Sequence, residues 1–180
     1  MTDPSPRIPA PSDRRGDPRF ALLLLDSYRR LVGVHLCPPV WASDAEAAQW
    51  LYEEAPFGLL AHDGSDDPLF VYANRTAQRS FGYTWEEFIG LPSRRSAAPD
   101  AQQDRAALLA SVDERGYADG YQGLRQHKDG RIFRIEDVCM WNLEDSDGTH
   151  HGQAAVFRPP VGPGPSESTA RPLPTHTTGR

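Results

Sequence analysis

The first apolar pattern along the chain has the period of a helix. Within residues 20–32, large apolar side chains recur three or four positions apart, and charged residues take the other side. The apolar positions are Phe20, Leu24, Tyr28 and Leu31. Gly33 follows them, and glycine commonly ends a helix. The pattern therefore predicts an amphipathic helix over residues 20–32.

A second helix is predicted to begin after Ser43. Ser43 and Glu46 form an S-x-x-E capping box, in which the two side chains satisfy free backbone N–H groups at the helix start. This helix is expected to end near Pro56, because the residue before a proline disfavours helical geometry.

Two strands and three short helices follow. The predicted strands are residues 58–62 and 69–73, separated by a loop rich in Asp, Gly and Ser. Asn74 is a suitable N-cap for the first short helix. The other two helices begin at capping boxes, which pair Thr84 with Glu87 and Asp100 with Gln103.

Three more strands are predicted in the last part of the chain, over residues 120–126, 132–142 and 152–157. The pair Asp129-Gly130 favours a tight hairpin turn, because both positions tolerate positive φ. The order helix, helix, β, β, three short helices, β, β, β predicts an α+β fold. In this fold a five-stranded antiparallel sheet carries helices on one face, and an N-terminal helical extension precedes it.

Composition assigns the folded unit to residues 20–158. Residues 1–19 and residues 159–180 are rich in proline and poor in large apolar side chains. Such segments do not bury enough apolar surface to offset the entropy of ordering, so both tails are expected to be disordered.

Charge and cysteine content narrow the classes of partner. The chain has 19 Lys and Arg residues against 25 Asp and Glu residues, and its arginines form no basic stripe, which argues against nucleic-acid binding. The apolar run 21–25 is too short to cross a membrane. Cys37 and Cys139 lack a CxxC arrangement, so we expect free thiols in a cytoplasmic protein.

The segment from about residue 45 to residue 158 resembles the PAS fold. The resemblance is carried by short motifs that occur in the order and at the spacing of that fold. These motifs are Tyr72-Ala73-Asn74, Phe81-Gly82-Tyr83, Glu86-Glu87, Ile89-Gly90, Lys128-Asp129-Gly130-Arg131 and Gly152.

A closer resemblance is to MEKHLA domains, a PAS-like group, and it covers nearly the whole predicted folded unit. It is carried by Ser27-Tyr28-Arg29-Arg30, Leu60-Ala61-His62-Asp63, Gly90-Leu91-Pro92-Ser93-Arg94, Arg134-Ile135-Glu136-Asp137 and Trp141-Asn142-Leu143, among other segments. The chain is similar to the stand-alone bacterial type. Plant members resemble the C-terminal part of homeodomain-leucine-zipper regulators, but this chain has neither a homeodomain nor a zipper. The resemblance therefore implies a sensory or interaction domain whose ligand is unassigned.

The resemblance also implies a candidate ligand pocket between the sheet and the helices. Its predicted walls are Tyr72, Phe81, Phe88, Phe133 and Trp141, and its predicted polar groups are Asn74, Cys139 and His62. The alternative is that the aromatic side chains fill an ordinary core and that Asn74 only caps a helix.

One acidic residue in the long strand joins this candidate set. By strict alternation, Asp137 shares a strand face with Phe133, Ile135, Cys139 and Trp141. A carboxylate on an apolar face needs a partner. Arg125 or Arg131, on the neighbouring strand, is the expected partner of Asp137.

Catalytic, metal and familiar cofactor chemistry are not expected. A flavin-cysteinyl adduct is disfavoured because Asn74-Arg75-Thr76 stands where related light sensors carry a cysteine. Haem held by a helix histidine is disfavoured because residues 63–126 contain no histidine. The adjacent Glu136 and Asp137 point apart, and His150-His151 lacks metal-site spacing. The cofactor, if any, is left unknown.

The leading hypothesis is a non-enzymatic sensory module that binds a small molecule or a partner protein. The helix over residues 20–32 would report the change and would offer a surface for a homodimer. Two alternatives stay open. One is a structural interaction domain with a filled core and no ligand, and the other is a small enzyme that uses the same cavity.

Overall fold

The computed structural model describes residues 11–160, with side chains from residue 14 onward. Of the tails predicted over residues 1–19 and 159–180, residues 1–10 and 161–180 lie outside the described residues. Within the first predicted tail the structure differs, because Pro11–Gly16 forms a 3-10 helix. The Arg14 guanidinium lies over the Phe20 ring, 4.7 Å from its centroid, so this segment packs on the folded unit.

The described chain contains five α-helices and five strands. The helices are α1 (Pro18–Val32), α2 (Asp44–Glu53), α3 (Arg75–Phe81), α4 (Trp85–Phe88) and α5 (Gln102–Arg115). The strands are β1 (Gly58–His62), β2 (Phe70–Ala73), β3 (Tyr117–Gln126), β4 (Ile132–Glu144) and β5 (His150–Arg158). Two further 3-10 helices, Ser93–Ser96 and Pro99–Ala101, connect α4 to α5.

Local capping chemistry sets most helix starts as predicted. Ser43 Oγ accepts from Glu46 N at 3.2 Å, but Glu46 Oε2 accepts from Ala42 N at 2.7 Å, so the box predicted there is only half formed. Thr84 and Glu87 form a complete capping box. The box predicted from Asp100 and Gln103 is wrong, because the 3-10 turn at Pro99–Ala101 makes Ala101 the N-cap of α5. The first helix begins at Pro18, where a proline costs no intrahelical hydrogen bond.

The five strands form one antiparallel sheet in the order β2-β1-β5-β4-β3. β5 is the central strand of this order and lies between β1 and β4, with Gly58 of β1 paired with Phe157 of β5. β2 and β3 are the two edges. The α+β fold with a five-stranded antiparallel sheet is thus confirmed.

Helices cover both faces of this sheet. On the face called here the α1 face, Phe20, Leu24 and Tyr28 of α1 pack against Leu59 and Trp141. On the opposite face, called the α3 face, Ala77 and Phe81 of α3 and Phe88 of α4 pack against sheet residues that include Leu60, Ile135 and Phe157. The N-terminal extension therefore covers the face that the other helices leave free.

This packing removes the reason for a dimer through residues 20–32. The apolar stripe of α1, which suggested an interface, is buried against the sheet of the same chain at Phe20, Leu24 and Tyr28. The loop over residues 33–43 joins α1 to α2, and these two helices also contact each other. This stripe is therefore not free to form the predicted homodimer interface.

A bulge in β4 divides the long strand into two parts. Between the pairs Glu136–Arg158 and Cys139–Val156, β4 advances one residue more than β5, and Asp137 has a φ of 51°. The extra residue reverses the alternation of side chains. Ile135 and Val138 consequently lie on the α3 face, although they are three positions apart.

The bulge overturns the predicted environment of Asp137. This side chain is exposed on the surface and does not share an apolar face with Trp141. Its carboxylate lies 2.7 Å from Arg158 on β5, so the predicted pairing with Arg125 or Arg131 is wrong. Strict alternation fails here because an inserted residue shifts every later position to the other side.

Candidate functional site

The predicted pocket residues are divided between the two faces of the sheet. Tyr72, Cys139 and Trp141 belong to the cluster on the α1 face, whereas Phe81, Phe88 and Phe133 pack on the α3 face. Asp137 lies at the surface. The eight predicted residues therefore do not surround one space.

On the α1 face the aromatic side chains are in close contact. The Trp141 ring meets the Tyr28 ring edge-on at a centroid distance of 4.9 Å, and Trp141 Nε1 donates to Ser27 Oγ at 2.9 Å. Burial raises the pKa of Tyr72, and it raises the pKa of the Cys139 thiol to about 11. These groups stay protonated at neutral pH and act as core side chains.

Asn74 uses its whole amide within the fold. Its Oδ1 accepts from Ala77 N at 2.9 Å, which is the predicted N-cap of α3, and from Leu59 N at 3.0 Å. Its Nδ2 donates to Phe57 O and to Leu51 O, at 2.9 and 3.2 Å. An amide has two donors and two acceptor positions, so Asn74 has no free hydrogen-bonding capacity for a ligand.

On the α3 face, three phenylalanines form an aromatic cluster. The Phe81 ring lies 5.5 Å from Phe88 and 5.0 Å from Phe133, both edge-on. This geometry is favourable for aromatic pairs. For these three residues the filled-core alternative describes the structure.

A small cavity lies beside this cluster, between the sheet, α5 and the 3-10 helix Ser93–Ser96. Its volume is about 50 Å³, and it is called here the inner cavity. Most of its wall is apolar, with side chains from β1, β2, β4 and β5 that include Leu60, Phe70, Val138, Met140, Ala155 and Phe157.

Two arginines supply positive charge to the wall of the inner cavity. Arg125, on β3, is only 7% exposed; its Nη1 donates to Leu124 O at 3.1 Å, and its guanidinium lies over the Tyr121 ring. Arg105, on α5, donates from Nη2 to the hydroxyl of the buried Ser93. Within residues 14–160, neither guanidinium has a carboxylate within 4 Å.

Burial acts on both arginines. Desolvation lowers the pKa of Arg125, and it lowers the pKa of Arg105 to about 10, with the positive charge of Arg125 acting in the same direction. Both groups remain charged at neutral pH. The inner cavity therefore has two cations in its wall.

His62 is the third polar group of the inner cavity. It is 6% exposed, and its Nδ1 lies 2.8 Å from Asp63 O, while Nε2 has no hydrogen-bond partner in the described structure. Burial lowers the pKa of His62, and the Arg105 charge contributes to the lowering. The geometry assigns the neutral tautomer with the proton on Nδ1, which leaves Nε2 as a buried acceptor.

Sequence reasoning included His62 but missed the two arginines. Arg105 carries a local signal, since it precedes Leu108, Leu109 and Val112 by three, four and seven positions and so interrupts the apolar stripe of α5. The sequence predicts Arg125 as a partner of Asp137, whereas the structure places it in the wall of the inner cavity. Nothing in the ten residues of β3 separates it from an ordinary surface arginine.

Among the described residues, no group of three or more His, Cys, Asp or Glu side chains is placed to hold a metal ion. His151 instead contacts Asp145, with Nε2 and Oδ2 3.0 Å apart. As far as residues 11–160 show, no helix combines the length and apolar character that a bilayer crossing requires.

Comparisons with known proteins agree with this architecture. The model of the MEKHLA domain matches residues 18–159. The chain is similar to the crystal structure of the PAS domain of a protein from Colwellia psychrerythraea, with 20% identity and a TM-score of 0.56 over 63% of this chain and 93% of that one. No curated protein matches the chain.

A second solved structure is an RNA-binding light-oxygen-voltage receptor. It is 18% identical, with a TM-score of 0.54 over 68% of this chain and 34% of the receptor. At these identities the likeness concerns the fold alone.

Proposed function

This chain belongs to the MEKHLA domain family, and from that premise we propose that it is a sensory module that binds a small molecule in the inner cavity. The observation that carries the proposal is the composition of this cavity. Its walls are mainly apolar, Arg105 and Arg125 add two positive charges to them, and His62 adds a buried Nε2 that has no hydrogen-bond partner among the described residues. Apolar walls with a few placed polar groups are typical of ligand sites.

The size of the inner cavity favours a ligand of few atoms. A cavity needs about 10–15 Å³ to hold one water molecule. At about 50 Å³, the inner cavity accommodates about three to five groups of that size. Flavin and haem are far larger, so a small metabolite is the ligand class that fits.

Strand β4 supplies a short path from the inner cavity to α1. Met140 lines the inner cavity on one face of the sheet, and the next residue, Trp141, packs against α1 on the other. Trp141 contacts both Ser27 and Tyr28. We propose that a shift of β4 on ligand binding reaches α1 through these contacts, and that the role is non-enzymatic.

We also propose a cytoplasmic location. Cys37 and Cys139 are both free thiols buried in the fold. Such thiols are common in reducing compartments, where disulfides are rare.

The test is mass spectrometry of protein purified from its own host. We expect a stoichiometric small molecule in the native spectrum that is lost on denaturation. The variant Ala155→Leu, which adds volume to the cavity wall, should lose that added mass, whereas Met140→Leu, which conserves volume at the same wall, should keep it.

A second candidate is a structural interaction domain with no ligand, favoured by the dense aromatic packing on both faces. It predicts a mass equal to that of the chain alone, together with a melting temperature that no small molecule shifts. That combination would exclude the sensory proposal.

A further inference from the structure

We propose that the ligand of the inner cavity is a small carboxylate, held by the guanidinium groups of Arg105 and Arg125, with His62 Nε2 accepting a hydrogen bond from a hydroxyl group of the same ligand. This inference rests on the proposed function of the cavity as a ligand site, and it names the ligand class. A short hydroxy acid such as glycolate satisfies all three groups.

The first argument is that neither guanidinium group of the cavity wall has a carboxylate at ion-pair distance among the described residues. Burying a charged group without a partner is costly, so buried guanidinium groups are normally paired with carboxylates. Arg125 is buried and Arg105 is half-buried in the wall of the same cavity, and no described carboxylate lies within 4 Å of either, the Asp67 charge acting on Arg105 only from a greater distance. An anionic ligand between them would supply the missing partner.

The second argument is a contrast with the surface of the same protein. Several exposed arginines have acidic partners, which include Glu53 at 3.2 Å from Arg75 and Asp67 at 3.0 Å from Arg94. The chain therefore places acids close to arginines where pairing contributes little, and places none within 4 Å of the buried Arg125 or the half-buried Arg105. This distribution is expected if the acid comes from outside the chain.

The third argument concerns His62. Its Nδ1–H donates to Asp63 O, so Nε2 is oriented as an acceptor, and it is buried without a partner. An acceptor does not bind a carboxylate oxygen, but it does bind a hydroxyl group. A ligand that carries both a carboxylate and a hydroxyl group therefore suits the cavity better than a simple anion.

A second, more open cavity of about 260 Å³ adjoins the inner cavity and offers a route from solvent. The two share His62, Leu109 and Gln153 in their walls. The outer wall adds polar groups that include Ser65, Asp113 and His150. A polar solute thus reaches His62 from solvent without passing through the apolar core.

Carboxylate is favoured over phosphate by size and surroundings. A carboxylate matches the planar fork of a guanidinium group and leaves its carbon atoms for the apolar walls. A phosphate group places four oxygens in a cavity whose walls are mainly apolar. The experiment therefore has to distinguish phosphate binding from carboxylate binding.

The experiment titrates the full chain with glycolate, acetate, glycolamide and inorganic phosphate at constant ionic strength. Binding is followed through the Arg Nε–Hε signals in ¹H–¹⁵N NMR spectra and through the melting temperature. We expect glycolate to bind more tightly than acetate and glycolamide not to bind. Arg105→Gln and Arg125→Gln should each weaken glycolate about tenfold or more, as expected for the loss of one charge-assisted hydrogen bond.

Matched variants separate charge from structure. Arg95→Gln removes an exposed arginine from the same 3-10 helix as Ser93 and should leave the affinity unchanged. Arg125→Lys keeps the charge and loses the fork, so its affinity should lie between those of the wild type and Arg125→Gln. His62→Leu should remove the preference for glycolate over acetate.

Several results would overturn the inference. Tight binding of glycolamide, or carboxylate binding that ignores both arginines, would exclude the anion site and leave the proposed sensory function intact. Phosphate binding tighter than that of any carboxylate would exclude the ligand class. If no probe binds while native protein carries an uncharged small molecule, the anion inference fails alone; if native protein carries no small molecule, the proposed function fails with it.

Discussion

Trp141 Nε1 donates a hydrogen bond of 2.9 Å to Ser27 Oγ, and both side chains are fully buried. The contact joins the central part of β4 to α1 across 114 positions of the chain. It shows that α1 belongs to the folded core and is not an appendage to it.

Replacing Ser27 by alanine should lower the free energy of unfolding by about 1–3 kcal/mol, because the indole N–H is left buried without an acceptor. Chemical denaturation measures this change. In a double-mutant cycle with Trp141→Phe, the two changes should be less than additive. Full additivity would mean that the hydrogen bond contributes nothing, and Leu22→Ala, at an exposed position of α1, is the control.

Asn74→Ala should cost more than the loss of an ordinary helix cap. It removes four hydrogen bonds in a fully buried site, so we expect a loss of about 3 kcal/mol or more. Thr84→Ala removes the exposed cap of α4 and should cost about 1 kcal/mol. Equal losses in the two variants, measured by urea unfolding, would contradict the structural role given to Asn74.

Two glycines with positive φ should respond differently to alanine. At Gly152, with a φ of 126°, an added Cβ would lie 2.0 Å from His62 O, so Gly152→Ala should cost about 4 kcal/mol or more. At Gly148, with a φ of 80°, nothing lies within 4 Å of the added Cβ. Gly148→Ala should therefore cost only the conformational strain of a left-handed residue, about 1–2 kcal/mol. Thermal unfolding of both variants makes the comparison.

The bulge at Asp137 predicts that this extra residue can be replaced or removed without changing which face the other side chains of β4 occupy. Asp137→Gly removes an exposed ion pair, worth about 0–1 kcal/mol, and relieves the positive φ, so stability should change little. Deleting Asp137 removes the extra residue and leaves Ile135 and Val138 two positions apart, so both still face α3 and cooperative unfolding should persist. Deleting Glu136 and Asp137 together would instead move one half of β4 to the wrong face and should abolish cooperative unfolding, and near-UV circular dichroism distinguishes the two outcomes.

The lowered pKa of His62 predicts a dependence of stability on pH. Below pH 6.5 the unfolded chain binds a proton on this residue, while in the folded chain burial and the Arg105 charge keep it neutral, with Asp63 opposing and His150 adding to the effect. Stability should therefore fall as the pH drops from 7 towards the folded pKa, by at most about 1.4 kcal/mol per pH unit. His62→Leu should flatten this part of the profile; an unchanged slope would refute the assignment.

Much of the fold was predictable because its signals are local. The caps at Ser43, Asn74 and Thr84 and the limits of β1 at residues 58–62 depend on a few neighbouring residues, and the structure has them where the sequence predicts. The family resemblance rests on the same short motifs, and the match over residues 18–159 confirms it.

The candidate site was less predictable, for two physical reasons. The bulge at Asp137 is set by the pairing of β4 with β5, and without it Phe133 and Trp141 appear to share a face although they lie on opposite sides. The arginine pair depends on the approach of α5 to β3, which joins Arg105 and Arg125 only in the folded chain. The alternation of side chains along a single strand predicts neither the bulge nor the arginine pair.

The position of β1 in the sheet also governs how the protein is made. Gly58 must pair with Phe157, which leaves the ribosome about 100 positions later, or about 5–20 s at ordinary rates of synthesis. Throughout that interval the β1 edge of the β1–β2 hairpin is unpaired. For most of the interval α1 also lacks Trp141 of β4, against which it packs in the folded protein. The exposed edge of β1 is thus covered only after β5 has been synthesised. We therefore expect chains truncated within β5 to bind chaperones and not to fold in part.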